Sequence, residues 1–180
     1  AKGWGNFKFY RGIIWRLRNK YYYLNLVVSI GKKVYIKMQT KLLKRSWIEI
    51  SIPTLIKNTQ LYENQIQNNS SIMAVVKADA YGHGAVEVSR ALQYSDITDF
   101  AVSNILEAIE LREAGIKGQI LILGYSPIEE LELLSKHNIT QAIISSDYAN
   151  DLISSNLPIK CQYAIDTGMN RIGLDADDVE

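Results

Sequence analysis

The chain has 180 residues, 47% of them hydrophobic and 22% charged, with one cysteine and a net charge of +1. That length suits one globular domain with a sizeable core, and the lone Cys161 excludes an intrachain disulfide or a cysteine-based zinc site. The near-neutral total hides a division: residues 1–46 carry twelve Lys or Arg and no acidic residue, whereas residues 47–180 carry the other eight basic residues and all nineteen acidic ones. Compositions this different rarely belong to one folding unit.

The first segment is rich in Lys, Tyr, Trp and Ile and shows no clear helical or strand period. Its longest apolar stretch, Leu24 to Ile30, is interrupted by Asn25 and Ser29, is far too short to span a bilayer, and lacks a signal peptide's cleavage pattern. A basic-aromatic arm for nucleic acid or an anionic membrane is one reading. A linker or non-native segment is the favoured one, with a juxtamembrane basic segment next, because the regular pattern begins only at Arg45, shortly after Met38. The expected division is therefore residues 1–44 as a basic leader and 45–180 as the folded unit, with no nucleic-acid partner, no membrane role for the folded unit and a cytoplasmic location.

Trp47 to Ser51 alternates apolar and polar, which suits a strand. Pro53 opens a helix carrying Leu55, Ile56, Leu61, Tyr62 and Ile66, which the polar run Asn68 to Ser71 ends. Ile72 to Val76 is wholly apolar, as expected of a strand buried on both faces. The alternation then repeats: a helix over 84–94, a strand over 100–102, a helix capped by Asn104 and ending near Gly115, and a strand over 120–123. A helix from Pro127, a strand over 142–144, a helix over 147–153 and a strand over 159–165 complete it. Strands alternating with helices over short loops imply a mainly parallel α/β sheet. About five such steps fit either a doubly wound sheet or part of a (β/α)8 barrel, and periodicity does not choose. Cys161 reads as a buried thiol, His137 as a helix C-terminal cap, and Asp175, Asp177 and Asp178 as a solvated loop rather than a metal site.

The strongest chemical signal is Ala74-Val75-Val76-Lys77-Ala78-Asp79-Ala80-Tyr81-Gly82-His83-Gly84. A lysine directly after an apolar strand sits where parallel barrels build their active sites. Apolar neighbours penalise its charged form and so favour a nucleophilic amine. Tyr81 and His83 add polar groups that suit a phosphate, and the two glycines permit close backbone approach. Taken singly, each has a plain alternative: a solvated strand-end lysine and an ordinary turn.

This block resembles the cofactor-lysine motif of the alanine racemases. Arg45-Ser46-Trp47-Ile48-Glu49-Ile50 resembles that family's opening strand, and Phe100 to Ser103 with Glu107 to Ile116 and Ile120 to Gly124 resembles its next units. Asp166-Thr167-Gly168-Met169-Asn170-Arg171-Ile172-Gly173 resembles its D-T-G-M-x-R-x-G signature. The resemblance runs over about residues 45–180. It implies the N-terminal portion of a (β/α)8 barrel that binds pyridoxal 5′-phosphate (PLP), a homodimer, and interconversion of L- and D-alanine for the cell wall. It also implies Lys77 as cofactor lysine and catalytic base, Tyr81 as a phosphate contact, and Arg171 as a contact of both the cofactor's phenolic oxygen and the substrate carboxylate. No metal is implied. Many members carry a carbamylated lysine where this chain has Ala164, and the opposite-face tyrosine lies later in the family's sequence, so the chain alone is expected to be inactive. A serine racemase of membrane-anchored type and a non-catalytic PLP-carrier barrel are the alternatives; the carriers lack the Y-G-H-G run.

Overall fold

A computed structural model of the chain describes residues 14–17, 20–30, 33–39, 48–66 and 70–175. The chain forms two compact units, Ala1–Ser51 and Ile52–Glu180.

In the first unit, β1 (Ile14–Leu17), β2 (Lys20–Ile30) and β3 (Lys33–Gln39) form an antiparallel sheet in that order. Ile14 faces Tyr23 and Ile30 faces Lys33, with an irregularity in the register between Leu24 and Val27. Tyr, Val and Ile favour strands, and the register shift breaks the strict alternation that would have announced them in the sequence. The arm and linker readings of residues 1–44 concern side chains outside the described residues. The strand expected over Trp47 to Ser51 is corrected: Ile48 to Ser51 carries none, and Trp47 is not among the described residues. Alternation alone makes no strand without a neighbour to complete the ladder.

The second unit alternates strand and helix. It runs α1 (Ile52–Glu63), β4 (Met73–Val75), the short turn α2 (Lys77–Gly82), α3 (Ala85–Gln93), β5 (Asp99–Val102), α4 (Ile105–Glu113) and β6 (Ile120–Ile122). A 3-10 turn (Ile128–Glu130), α5 (Leu131–Lys136), β7 (Thr140–Ile143), α6 (Ser146–Ser154) and β8 (Lys160–Tyr163) come next. The strands form one parallel sheet in the order β4-β5-β6-β7-β8, with Ala74 beside Phe100, Phe100 beside Ile120, Leu121 beside Thr140 and Ile143 beside Tyr163. Spatial order equals chain order. A doubly wound sheet reverses direction at a switch point; this one does not, and it is the N-terminal portion of a (β/α)8 barrel.

The two faces differ as that arrangement requires. Phe100, Val102, Ile120 and Ile122 turn toward the helices, where they meet Val88 and Leu92 of α3, Leu111 of α4, Leu134 of α5 and Leu152 of α6. Each such burial stabilises by about 1.5–3 kcal/mol. The opposite face carries Met73, Ala101, Leu121, Ala142 and Ala164, mostly small, as the tapering interior of a barrel demands. The strand expected over 159–165 divides at Ala164: β9 (Ile165–Asp166) leaves the sheet to pair in parallel with β10 (Leu174–Asp175). Cys161 is a correction, exposed rather than buried, because β8 stands at the end of the ladder and all four of its residues are exposed. His137 caps α5 as expected.

Among the described residues no helix is long and apolar enough to cross a membrane, and no cluster of His, Cys, Asp and Glu suits a metal.

Candidate active site

The β4–β5 ladder ends on the bond from Val76 N to Ala101 O, 2.9 Å, and Lys77 is the next residue. It therefore stands at the C-terminal rim of the sheet, half-buried, and no hydrogen bond among the described residues engages its amine.

The backbone immediately after Lys77 is unusual. Ala78, Asp79, Ala80 and Tyr81 all have φ between 50 and 55° and ψ between 37 and 50°. That is one turn of left-handed helix built from residues with a Cβ, at about 1–2 kcal/mol each. Such strain persists only where the surroundings over-determine it, and it clusters at functional sites. The restraints are visible. Glu107 Oε1 accepts from Ala78 N at 2.8 Å at the turn's entry. At its exit Asp79 Oδ1 accepts from Ala85 N at 2.7 Å, the first residue of α3. Ala80 is buried, its N donating to Val76 O at 2.9 Å, and Gly84 N donates to Asp79 O at 2.9 Å. Gly84, at φ +91°, then starts α3 where a side chain would be strained.

Tyr81 projects from this turn, exposed, four residues from Lys77. His83 is already engaged: its Nδ1 donates to Ala80 O at 3.0 Å, leaving only Nε2 for another partner. An apolar groove of about 610 Å³ runs between α1, β4 and α3, reaching Tyr81 and His83 at one end; Lys77 does not line it.

Glu107 belongs to the next strand–helix unit. Asn104 caps α4, its side chain accepting from Glu107 N at 3.1 Å, and Glu107 Oε2 accepts from Ser103 N at 2.9 Å and Ser103 Oγ at 2.8 Å. Burial pushes the Glu107 carboxyl up, but the hydrogen bonds from Ser103 and Ala78 and the charge of Lys77 outweigh it and hold the group below its ordinary value.

Arg171 lies beyond the other end of the sheet, in the turn after β9, and is exposed. Asp166 organises that turn, Oδ1 accepting from Gly168 N at 2.9 Å and Asn170 N at 3.1 Å, and these bonds hold its carboxyl below the ordinary value. Four strand intervals separate β4 from β8, roughly 19 Å along the sheet, a span that barrel curvature shortens across the mouth. Lys77 and Tyr81 thus share one turn, whereas Arg171 approaches from the far strand. Ala164 lies in the inner layer, its N donating to Ile143 O at 3.0 Å, its carbonyl accepting from Leu174 N at 2.7 Å.

Sequence reasoning missed Glu107 and Asp79. The spacing Asn104-x-x-Glu107 was a capping signal, but the reach from Glu107 to Ala78 spans 29 residues and leaves no local mark.

Residues 50–180 match the family described as alanine racemase, N-terminal domain. The chain is 44% identical over 136 residues to an alanine racemase of Fusobacterium nucleatum, an alignment covering 76% of this chain and 38% of that protein. It is 43% identical over 136 residues to a serine/alanine racemase of Enterococcus gallinarum, covering 76% of this chain and 20% of that one. A solved structure of alanine racemase from Clostridium difficile 630, in complex with cycloserine, superposes with a TM-score of 0.69 at 37% identity, covering 75% of this chain and 38% of that one. The chain thus spans well under half the length of each of these relatives.

Proposed function

The chain belongs to the alanine racemase family, through that family's N-terminal domain, and from this premise we propose that it carries the cofactor lysine, Lys77, of a PLP-dependent amino-acid racemase. The observation that carries the reading is Lys77, half-buried at the C-terminal rim of a parallel sheet and followed by a strained left-handed turn. Strain is tolerated where geometry matters more than stability.

The donor set fits the cofactor. PLP presents an aldehyde, a phenolic oxygen and a phosphate; the chain offers a primary amine on Lys77, the fixed guanidinium fork of Arg171 and the exposed hydroxyl of Tyr81. When bound, PLP supplies the electron sink that makes an amino acid's Cα–H acidic enough for a side chain to remove. Lys77 would hold the cofactor through its amine and would serve as the base for the Cα proton on one face. Arg171, always charged, holds a carboxylate or phenolate in place without exchanging protons. Tyr81 binds the phosphate. Ala164, where relatives place a modified lysine, leaves Arg171 to be oriented by the turn that Asp166 closes.

The substrate we assign is alanine, the product D-alanine for peptidoglycan, the location the cytoplasm and the assembly a homodimer, all on the strength of the family. Serine is the second reading, favoured by the similarity to the serine/alanine racemase of Enterococcus gallinarum. The test is to supply the full-length protein with PLP, reduce with borohydride and locate the label by mass, then assay L-alanine and L-serine. Label on Lys77 and its loss in Lys77→Ala are expected; label elsewhere overturns the assignment.

A further inference from the structure

We propose that Glu107 is the positioning residue for Lys77, its carboxylate fixing the main chain that carries the lysine; this rests on reading Lys77 as the cofactor lysine. In an ordinary capping box the third helical residue reaches back to its own N-cap N–H. Glu107 does not. One oxygen reaches past Asn104 to Ser103 N and Oγ, at the end of β5, and the other crosses to Ala78 N, the residue after Lys77. A single carboxylate thereby ties the C-terminal ends of β4 and β5 together at the position where Lys77 emerges.

The chemistry of the donors requires a carboxylate. Three donors, Ala78 N–H, Ser103 N–H and Ser103 Oγ–H, converge on it, and an ionised carboxylate is acceptor-only, so both oxygens serve. A glutamine of the same shape has one acceptor oxygen and would turn its NH2 against an N–H on one side. Aspartate is a methylene too short to reach both. The Glu107 main chain is bonded separately, its N–H donating to the Asn104 side chain, so that cap can be removed without removing an acceptor from Ala78 or Ser103. Charge-assisted bonds of this kind are shorter and stronger than neutral ones. The contact stands at the entry to four consecutive left-handed residues, where loss of one restraint lets the backbone relax and swings Lys77 away.

The test compares Glu107→Gln with wild type in the full-length protein, using PLP as the probe and the rate of borohydride-trapped Lys77 labelling as the readout. Labelling is expected to slow about tenfold or more in Glu107→Gln while circular dichroism and cooperative unfolding persist. Asn104→Ala is the matched control: it weakens the same helix through its cap without touching the carboxylate, and its labelling is expected within about twofold of wild type. Equal slowing in both variants would reduce Glu107 to a structural role and overturn the proposal. Should Glu107→Gln not fold, amide exchange in the wild type decides: Ala78 N–H is expected to be protected although its side chain is exposed, and rapid exchange there overturns the clamp. Absence of any label on wild-type Lys77 would instead overturn the cofactor reading, and the Ala78 exchange would still test the clamp.

Discussion

The Arg112 guanidinium donates from Nε to the main-chain carbonyl of His137 at 2.9 Å, joining the end of α4 to the loop that leads from α5 into β7. The same side chain bonds the carbonyls of Asn138, Ile116 and Gly118, at 2.7, 2.8 and 2.7 Å. Burial pushes its pKa down. Gly118 is fixed in turn, because a Cβ there would collide with the carbonyl of Thr98. Arg112→Ala is expected to lower unfolding stability by about 2–3 kcal/mol, the range for losing hydrogen bonds to a charged group. Arg112→Lys keeps the charge but not the fork, and is expected to recover less than half of that in urea denaturation.

Ala78 has φ 52° and an exposed side chain, so its Cβ contributes strain and little packing. Ala78→Gly removes a penalty of about 1–2 kcal/mol and adds about 0.5–1 kcal/mol of unfolded-chain entropy, a net gain of up to about 1.5 kcal/mol. Ala78→Pro demands a negative φ and deletes the N–H that Glu107 accepts, and is expected to cost about 3 kcal/mol or more. Thermal unfolding of the two variants, moving in opposite directions, checks the left-handed turn directly.

Glu107 gives the fold an acid sensitivity. Its folded pKa lies below the unfolded value, so its stabilising contribution is complete above the ordinary glutamate pKa, about 4.3, and is lost as pH falls through the lower folded value. The stability difference between wild type and Glu107→Gln is expected to be constant near neutrality and to shrink below about pH 4. A difference that grows in acid would contradict the direction of the shift.

The elements of the second unit were legible because the apolar runs 72–76 and 120–123 and the caps at Asn104 and His137 are local signals. The place of Lys77 at a strand end followed from the run before it. The left-handed turn was not legible, because Ala78 to Tyr81 contains no glycine, and its conformation is enforced from Glu107 and by burial of Ala80. Ile48 to Ser51 misled because an alternating pattern reports a face, not a partner. Cys161 misled for a related reason: its segment forms a strand, but one at the end of the ladder. Alternation of strand and helix is common to both architectures; the resemblance carried by residues 74–84 and 166–173 implied the barrel, and the pairing of β4 through β8 in chain order bears it out.

The loop after β6, also at the C-terminal end of the sheet, is held by a buried polar network. Gln141 is fully buried; its Oε1 accepts from Ser126 Oγ at 2.7 Å, and its Nε2 donates to the carbonyls of Gly124 and Ala142 at 2.7 and 2.9 Å. Tyr148 completes the cage, its hydroxyl donating to Ser126 O at 3.0 Å and accepting from Ser126 N at 3.3 Å. Tyr148→Phe keeps the ring but strands a buried N–H and a buried C=O on Ser126. The expected loss is about 1–3 kcal/mol, the penalty for leaving buried polar groups unsatisfied. Tyr125 offers the contrast: it is exposed, meets Tyr148 with ring centroids 5.0 Å apart, and Tyr125→Phe is expected to change stability by less than about 0.5 kcal/mol. The pH dependence carries a sign of its own. Burial raises the Tyr148 hydroxyl above its usual value, the hydrogen bond from Ser126 opposing without cancelling. Its contribution is therefore complete below about pH 10 and falls as pH rises through the folded pKa. The gap between wild type and Tyr148→Phe in urea unfolding should be constant from about pH 6 to 9 and narrow only above about 10. Equal midpoints at neutral pH would mean that water replaces the hydroxyl and that Gln141 alone holds the loop.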